Sequence, residues 1–268
     1  MSTAAGSRPE NRFSTLRVIV PYHPSVRLLG IALALSAVGS FGGLLLASSL
    51  LLVPGNVRQR VVPWLVSYAV GALLGVALLE LLPDALRQLD SGAVLGTLLA
   101  GILVFFVLEK LVLWRHCHTH ECEVHASAAP IVLIGGAFHH FVDGAVIGAA
   151  VVTSMSLALS TAVAIAAHEI PQGIGDFAIL LGAGYGRRRA VALNVASAST
   201  GLAGAILALG ALELVPGKLP FVLAFAAASF LYIAMSDLIP DLHRGHIDAS
   251  AMRQVLLVVA GVATVLAF

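Results

Sequence analysis

Eight runs of this chain are long and apolar enough to cross a bilayer, and little sequence is left between them. They fall near 28–53, 61–86, 92–114, 129–153, 158–182, 190–214, 219–241 and 251–268. A hydrocarbon core about 30 Å thick takes about 20 residues of helix to span. Backbone amides in lipid must be satisfied within the structure, and runs of this length do so as helices. Composition agrees, because 59% of the residues are hydrophobic and 11% charged, against about 25% charged in a soluble domain. A soluble fold would lack the polar surface to cover itself. The fold class is therefore an all-α integral membrane protein, a multi-pass bundle of eight transmembrane helices over residues 28–268. Residues 1–27 read as a polar N-terminal tail, with no signal-peptide sequence of n-region, h-region and cleavage site.

Loop charge sets the expected orientation, since Lys and Arg favour the cytoplasmic side. Alternate loops hold Arg58 and Arg60, Lys110 and Arg115, Arg187 to Arg189, and Arg244 and Arg253. The opposite loops hold Arg87 and Lys218. The Arg-rich loops are expected to be cytoplasmic, which puts both termini outside the cytoplasm, in a cell (inner or plasma) membrane. Arg8, Arg12, Arg17 and Arg27 in the tail pull the other way. The net charge of +1 gives no case for a nucleic-acid partner. The bilayer is the expected surrounding, and a bundle this rich in small residues is expected to form a homodimer.

Ionisable side chains inside a membrane are expensive and mark function by default. The fourth block carries His139, His140 and Asp143, and the fifth carries His168, Glu169, Gln172 and Asp176. Counting from Pro130 and from Ala158 at about 1.5 Å per residue puts His139 about 14 Å deep and His168 about 15 Å deep. The two blocks run antiparallel, so their polar clusters meet near the midplane. His139 and His140 share a face with Asp143 at spacings of four and three, and His168 and Glu169 relate to Gln172 in the same way. Imidazole with carboxylate suits zinc, iron or manganese. The lack of thiolate at this depth argues against a tight structural zinc. Pro171 has no N–H for the Ala167 carbonyl, so a kink and a freed carbonyl are expected beside His168. The glycines here (Gly135, Gly136, Gly144, Gly148) read as close helix packing.

Three further sets are candidates. Glu80 and Asp84 end the second block and read as entrance ligands or solvated caps. Asp237 lies near the cytoplasmic end of the seventh, ahead of Pro240. The loop "RHCHTHECEVH" holds His116, Cys117, His118, His120 and Cys122, a ligand density typical of metal-collecting tracts. Two cysteines make no disulfide scaffold. "HEIPQ" opens like a zinc-protease signature, but Gln172 stands where its second histidine belongs and Pro171 distorts the helix it needs.

The stretches "HHFVDGAVIGA" and "HEIPQGIGDFAILLGAG" resemble the metal-binding helices of the ZIP (Zrt/Irt-like) family of divalent metal transporters. The likeness extends to "ELLPDAL", "FFVLEKLVLWRHCHTH" and "FLYIAMSDLIPD". It implies eight helices with both termini extracytoplasmic, carrying Zn²⁺, and often Cd²⁺, Fe²⁺ or Mn²⁺, toward the cytoplasm, with no enzymatic activity. It also implies a binuclear centre, one site of His139, Asp143, His168 and Gln172, the other of His140, Asp143, Glu169 and Gln172. Asp237 and the His-rich loop would line the exit. The chain departs from the family pattern at His140, usually asparagine, and at Gln172, usually histidine or glutamate. The second site is therefore expected to be the weaker. A membrane-embedded zinc hydrolase is the alternative, but two matching ligand patterns beside a metal-binding loop fit a pathway better than a reaction site. A cation-diffusion exporter would need six helices and a soluble C-terminal domain.

Overall fold

The computed structural model describes residues 26–114, 124–242 and 249–268. The His/Cys loop with His116, Cys117, His118, His120 and Cys122, and most of the N-terminal tail, lie outside the described residues. Within them the chain forms eight helical rods. They are α1 (Val26–Leu50), α2 (Gly55–Gln88), α3 (Ser91–Trp114), α4 (Val124–Thr153), α5 (Met155–Gly182), α6 (Arg187–Leu214), α7 (residues 219–242) and α8 (Ala249–Leu266). Their limits follow the apolar blocks to within a few residues. Among the described residues, six helices are long and apolar enough to cross a membrane. α5 and α8 are not among these six, and α5 is the helix whose apolar run His168, Glu169, Gln172 and Asp176 interrupt.

The rods sort into two groups by how they pack. α1, α4, α5 and α6 pack on one another, and the α4–α6 contact is the most extensive among the described residues. α2 packs on α8, and α7 on both α2 and α3. The groups meet where α2 touches α5 and α4 touches α7. The α4–α6 contact depends on glycine, because a Cβ on Gly144 would run into the Gly201 carbonyl. Small residues of this kind let helix backbones approach in lipid, where no hydrophobic force draws them together. Gly144→Val should therefore push α4 off α6 and destabilise the bundle by about 1–3 kcal/mol or more, the usual cost of overpacking. A lowered melting temperature in detergent micelles would show it.

Two π-helical segments, which the apolar pattern does not reveal, interrupt α2 and α7. They cover Val76–Leu81 and Ile233–Leu238, each shortly before a proline, Pro83 and Pro240. Their surroundings correspond, "ALLELLPDAL" at 77–86 against "AMSDLIPDLH" at 234–243. Glu80 and Asp237 thus occupy matching places three residues before each proline. A wider turn ahead of a proline gives its ring room against the preceding carbonyls, and such turns cluster at functional positions. Pro171, by contrast, lies inside α5, which continues as α-helix on both sides.

Two arginines near helix ends stack on aromatic rings. Arg253 at the start of α8 stacks over Trp64 near the start of α2, 5.0 Å from the ring centroid. Arg189 lies 4.9 Å from the Tyr185 ring between α5 and α6. Both pairings suit an interface, where an aromatic ring and a cation each reach their preferred surroundings.

Candidate metal centre

Local sequence aims the polar side chains of α4 and α5 at each other. α5 starts on a capped turn, with the Ser154 hydroxyl accepting from the Leu157 amide at 3.1 Å. Fourteen residues on, His168 and Glu169 face the group interior, only 1% and 2% exposed. On α4, Asp143 is fully buried and His140 nearly so. Gly43 on α1 has no Cβ to meet that of Glu169, and this lets α1 close the back of the site.

Distances then define a cluster. His139 Nε2 lies 3.0 Å from His168 Nε2. Asp143 Oδ2 lies 3.2 Å from His168 Nε2 and 3.4 Å from His139 Nε2. A tetrahedral ion with bonds of roughly 2.0–2.1 Å spaces its ligand atoms about 3.3–3.4 Å apart, close to the edges of this triangle. The His168 ring is already oriented, because its Nδ1 donates to the Ala164 carbonyl at 3.0 Å. In the neutral ring that leaves the Nε2 lone pair facing inward, the arrangement that usually positions a metal-binding histidine. Neither Asp143 oxygen is in hydrogen-bond alignment with any group, although the nitrogens are near. A buried carboxylate without such bonds is costly, and a divalent cation among these atoms would compensate it. Ligand atoms of His139, Asp143, His168 and Glu169 all lie within 4.8 Å of one another.

His140 pairs directly with Glu169, Nδ1 to Oε1 at 2.7 Å, just beside this cluster. Glu169 therefore touches both halves, facing the triangle and holding His140. Gln172, half-buried, follows one turn after His168 on α5. The remaining candidates lie elsewhere. The Glu80 carboxylate accepts a hydrogen bond from Ser160 of α5, and Asp84 is paired with Arg87. Asp237 is exposed on α7, in the other helix group. The structure adds Glu109 on α3, which accepts from the Tyr232 hydroxyl of α7. Only its position in "FFVLEKL" hinted at it.

Comparison with known proteins points the same way as this geometry. The family profile described as ZIP Zinc transporter matches residues 115–268, more than half of the chain. The chain is 34% identical over 219 residues to zinc transporter ZIP13 of Pongo abelii, an overlap covering 76% of this chain and 66% of that protein. It is 30% identical over 258 residues to human ZIP13, covering 76% and 70% respectively. With human zinc transporter ZIP4 it shares 42% identity over 110 residues, 41% of this chain but 17% of that protein. The chain thus spans about two thirds of the length of the ZIP13 relatives. A profile that covers α4 and α5 whole, together with relatives that reach across most of the bundle, makes this chain a member of the ZIP zinc transporter family.

Proposed function

We propose that this protein moves Zn²⁺ toward the cytoplasm across a cell membrane, through an intramembrane site shared by α4 and α5. One observation carries this reading, the triangle of His139 Nε2, His168 Nε2 and Asp143 Oδ2 with edges of 3.0, 3.2 and 3.4 Å. His139, Asp143 and His168 form the primary site, with Gln172 as a neutral fourth donor. His140, Asp143, Glu169 and Gln172 form the weaker neighbour. Mixed imidazole, carboxylate and amide ligands hold an ion firmly enough to capture it and loosely enough to release it. Cd²⁺, Fe²⁺ and Mn²⁺ are accepted by the same donor set.

The route begins at a cavity of about 490 Å³ whose lining includes Glu80, Asp84, Arg87, Thr153 and Ser154. By loop charge it opens on the extracytoplasmic side. Ser160, bonded to Glu80, stands two turns above His168 on α5, about 12 Å away at 1.5 Å per residue. Release follows an alternating-access movement in which the group holding α4 and α5 shifts against the group holding α2 and α7. The ligands of both sites belong to the first group, and taken together its contacts with the second are less extensive than those within it.

The test is uptake of Zn²⁺ and Cd²⁺ into liposomes that contain the protein and a metal-sensitive dye. Saturable influx supports the reading, and metal binding without influx overturns it. In the same assay Glu80→Gln should raise the half-saturating concentration roughly threefold to tenfold while leaving the maximal rate nearly unchanged, as loss of a capture interaction does.

A further inference from the structure

Asp176 is the acidic side chain on α5 that the His/carboxylate cluster leaves out. It lies seven residues past Glu169 and four past Gln172, on the same helix face. Across from it α6 presents Ser197, 5% exposed, whose Oγ has no hydrogen-bond partner. Buried hydroxyls are nearly always bonded, so a bare one beside a carboxylate needs an explanation. The third wall is Gly136 on α4, one turn before His140. A Cβ at Gly136 would sit 3.3 Å from Ser197 Oγ and 3.6 Å from Asp176 Oδ2. Two oxygens, one of them a carboxylate's, thus face a small space that the missing side chain leaves open.

We propose that the Asp176 carboxylate and the Ser197 hydroxyl form a further divalent-cation station, opened by Gly136, which receives the ion from the His140–Glu169 pair. Its direction of use rests on the transport reading above, whereas its ligands do not. Oxygen donors without imidazole or thiolate hold transition metals more weakly than the histidine cluster does. A weaker site further along is what departure from a tight one requires. It also restores a negative charge one turn after neutral Gln172, so the ion does not leave the cluster toward bare apolar helix. Gly136 explains the packing, since alanine there would place a methyl group between the two oxygens.

Two measurements test the station, and one of them needs no transport. In protein with Cys117→Ser and Cys122→Ser, Ser197→Cys would put a thiolate at the station, and Cd²⁺ binding to it gives a near-ultraviolet charge-transfer band. Titration with Cd²⁺ should show this band, and adding Asp176→Asn should weaken its midpoint affinity at least about tenfold, the loss expected when an anionic ligand is removed. A band with the same midpoint in both proteins, or no band in a protein that still binds Cd²⁺ at the histidine cluster, overturns the station. In liposomes, Gly136→Ala and Asp176→Asn should each lower the maximal Cd²⁺ flux about tenfold with little change in half-saturation, and Asp176→Glu should recover most of it. Folded variants that carry Cd²⁺ at the wild-type rate also overturn it. If the unaltered protein shows no flux while the band still depends on Asp176, the transport reading fails and the station stands.

Discussion

Asp143→Ala is expected to abolish metal influx, with a loss of at least about a hundredfold, beyond the 10–100-fold typical of removing an outer-shell partner. Asp143 is wholly buried, and its Oδ2 is the anionic oxygen within 3.4 Å of both imidazoles. Without it a doubly charged ion would sit in a low-dielectric interior against two neutral rings, with the remaining carboxylate, Glu169, already engaged by His140, and Coulomb attraction there is many times stronger than in water. Asp143→Asn keeps the shape and removes the charge, so it should lose nearly as much. The stability change should have the opposite sign. The carboxylate has no aligned hydrogen bond, and burying a charge without such bonds is costly, so removing the charge relieves that cost. Both variants should therefore melt no lower than the parent without metal, and should lose the zinc-dependent rise in melting temperature that binding to the folded state produces. Near-normal uptake by Asp143→Ala would remove the cluster from the transport path.

Much of this was legible in the sequence because the bilayer imposes two simple rules. Apolar length fixes where helices lie, and the eight blocks return as α1 to α8 with shifts of a few residues. Polar residues at depth must find partners, and the spacings in α4 and α5 single out His139, His140, Asp143, His168, Glu169 and Gln172, of which the structure brings ligand atoms of His139, Asp143, His168 and Glu169 within 4.8 Å of one another. Pairing within the set was less accessible. Nothing in the spacing says that Glu169 faces the triangle and also holds His140, because that depends on how α4 and α5 rotate about their axes. The π-helical turns at Val76–Leu81 and Ile233–Leu238 were hidden for a different reason. Hydropathy averages over several turns and does not register one extra residue in a turn. The correspondence of "ELLPD" and "SDLIPD" carried that signal in its prolines. Glu109 was hidden because its partner, Tyr232, lies 123 positions away on α7.

The double substitution His139→Ala, His168→Ala should cost about as much as His168→Ala alone, and much less than the product of the two single losses. Residues that bind one ion together act as a unit, and their effects are far from additive. The singles should also differ from each other. His168 is 1% exposed and its ring is fixed by the Ala164 carbonyl, so its Nε2 is oriented before the ion arrives. His139 has an 18% exposed side chain and no comparable tether on its other nitrogen among the described contacts, so its ring loses more freedom on binding. His168→Ala should therefore lower Zn²⁺ affinity by about a hundredfold and His139→Ala by about tenfold, reflecting how well each donor is pre-organised. Competition with a chelating dye would measure both, and liposome flux would follow the same order. Equal and multiplying losses would mean that the two rings hold separate ions, so that their Nε2 atoms, 3.0 Å apart, meet by packing alone.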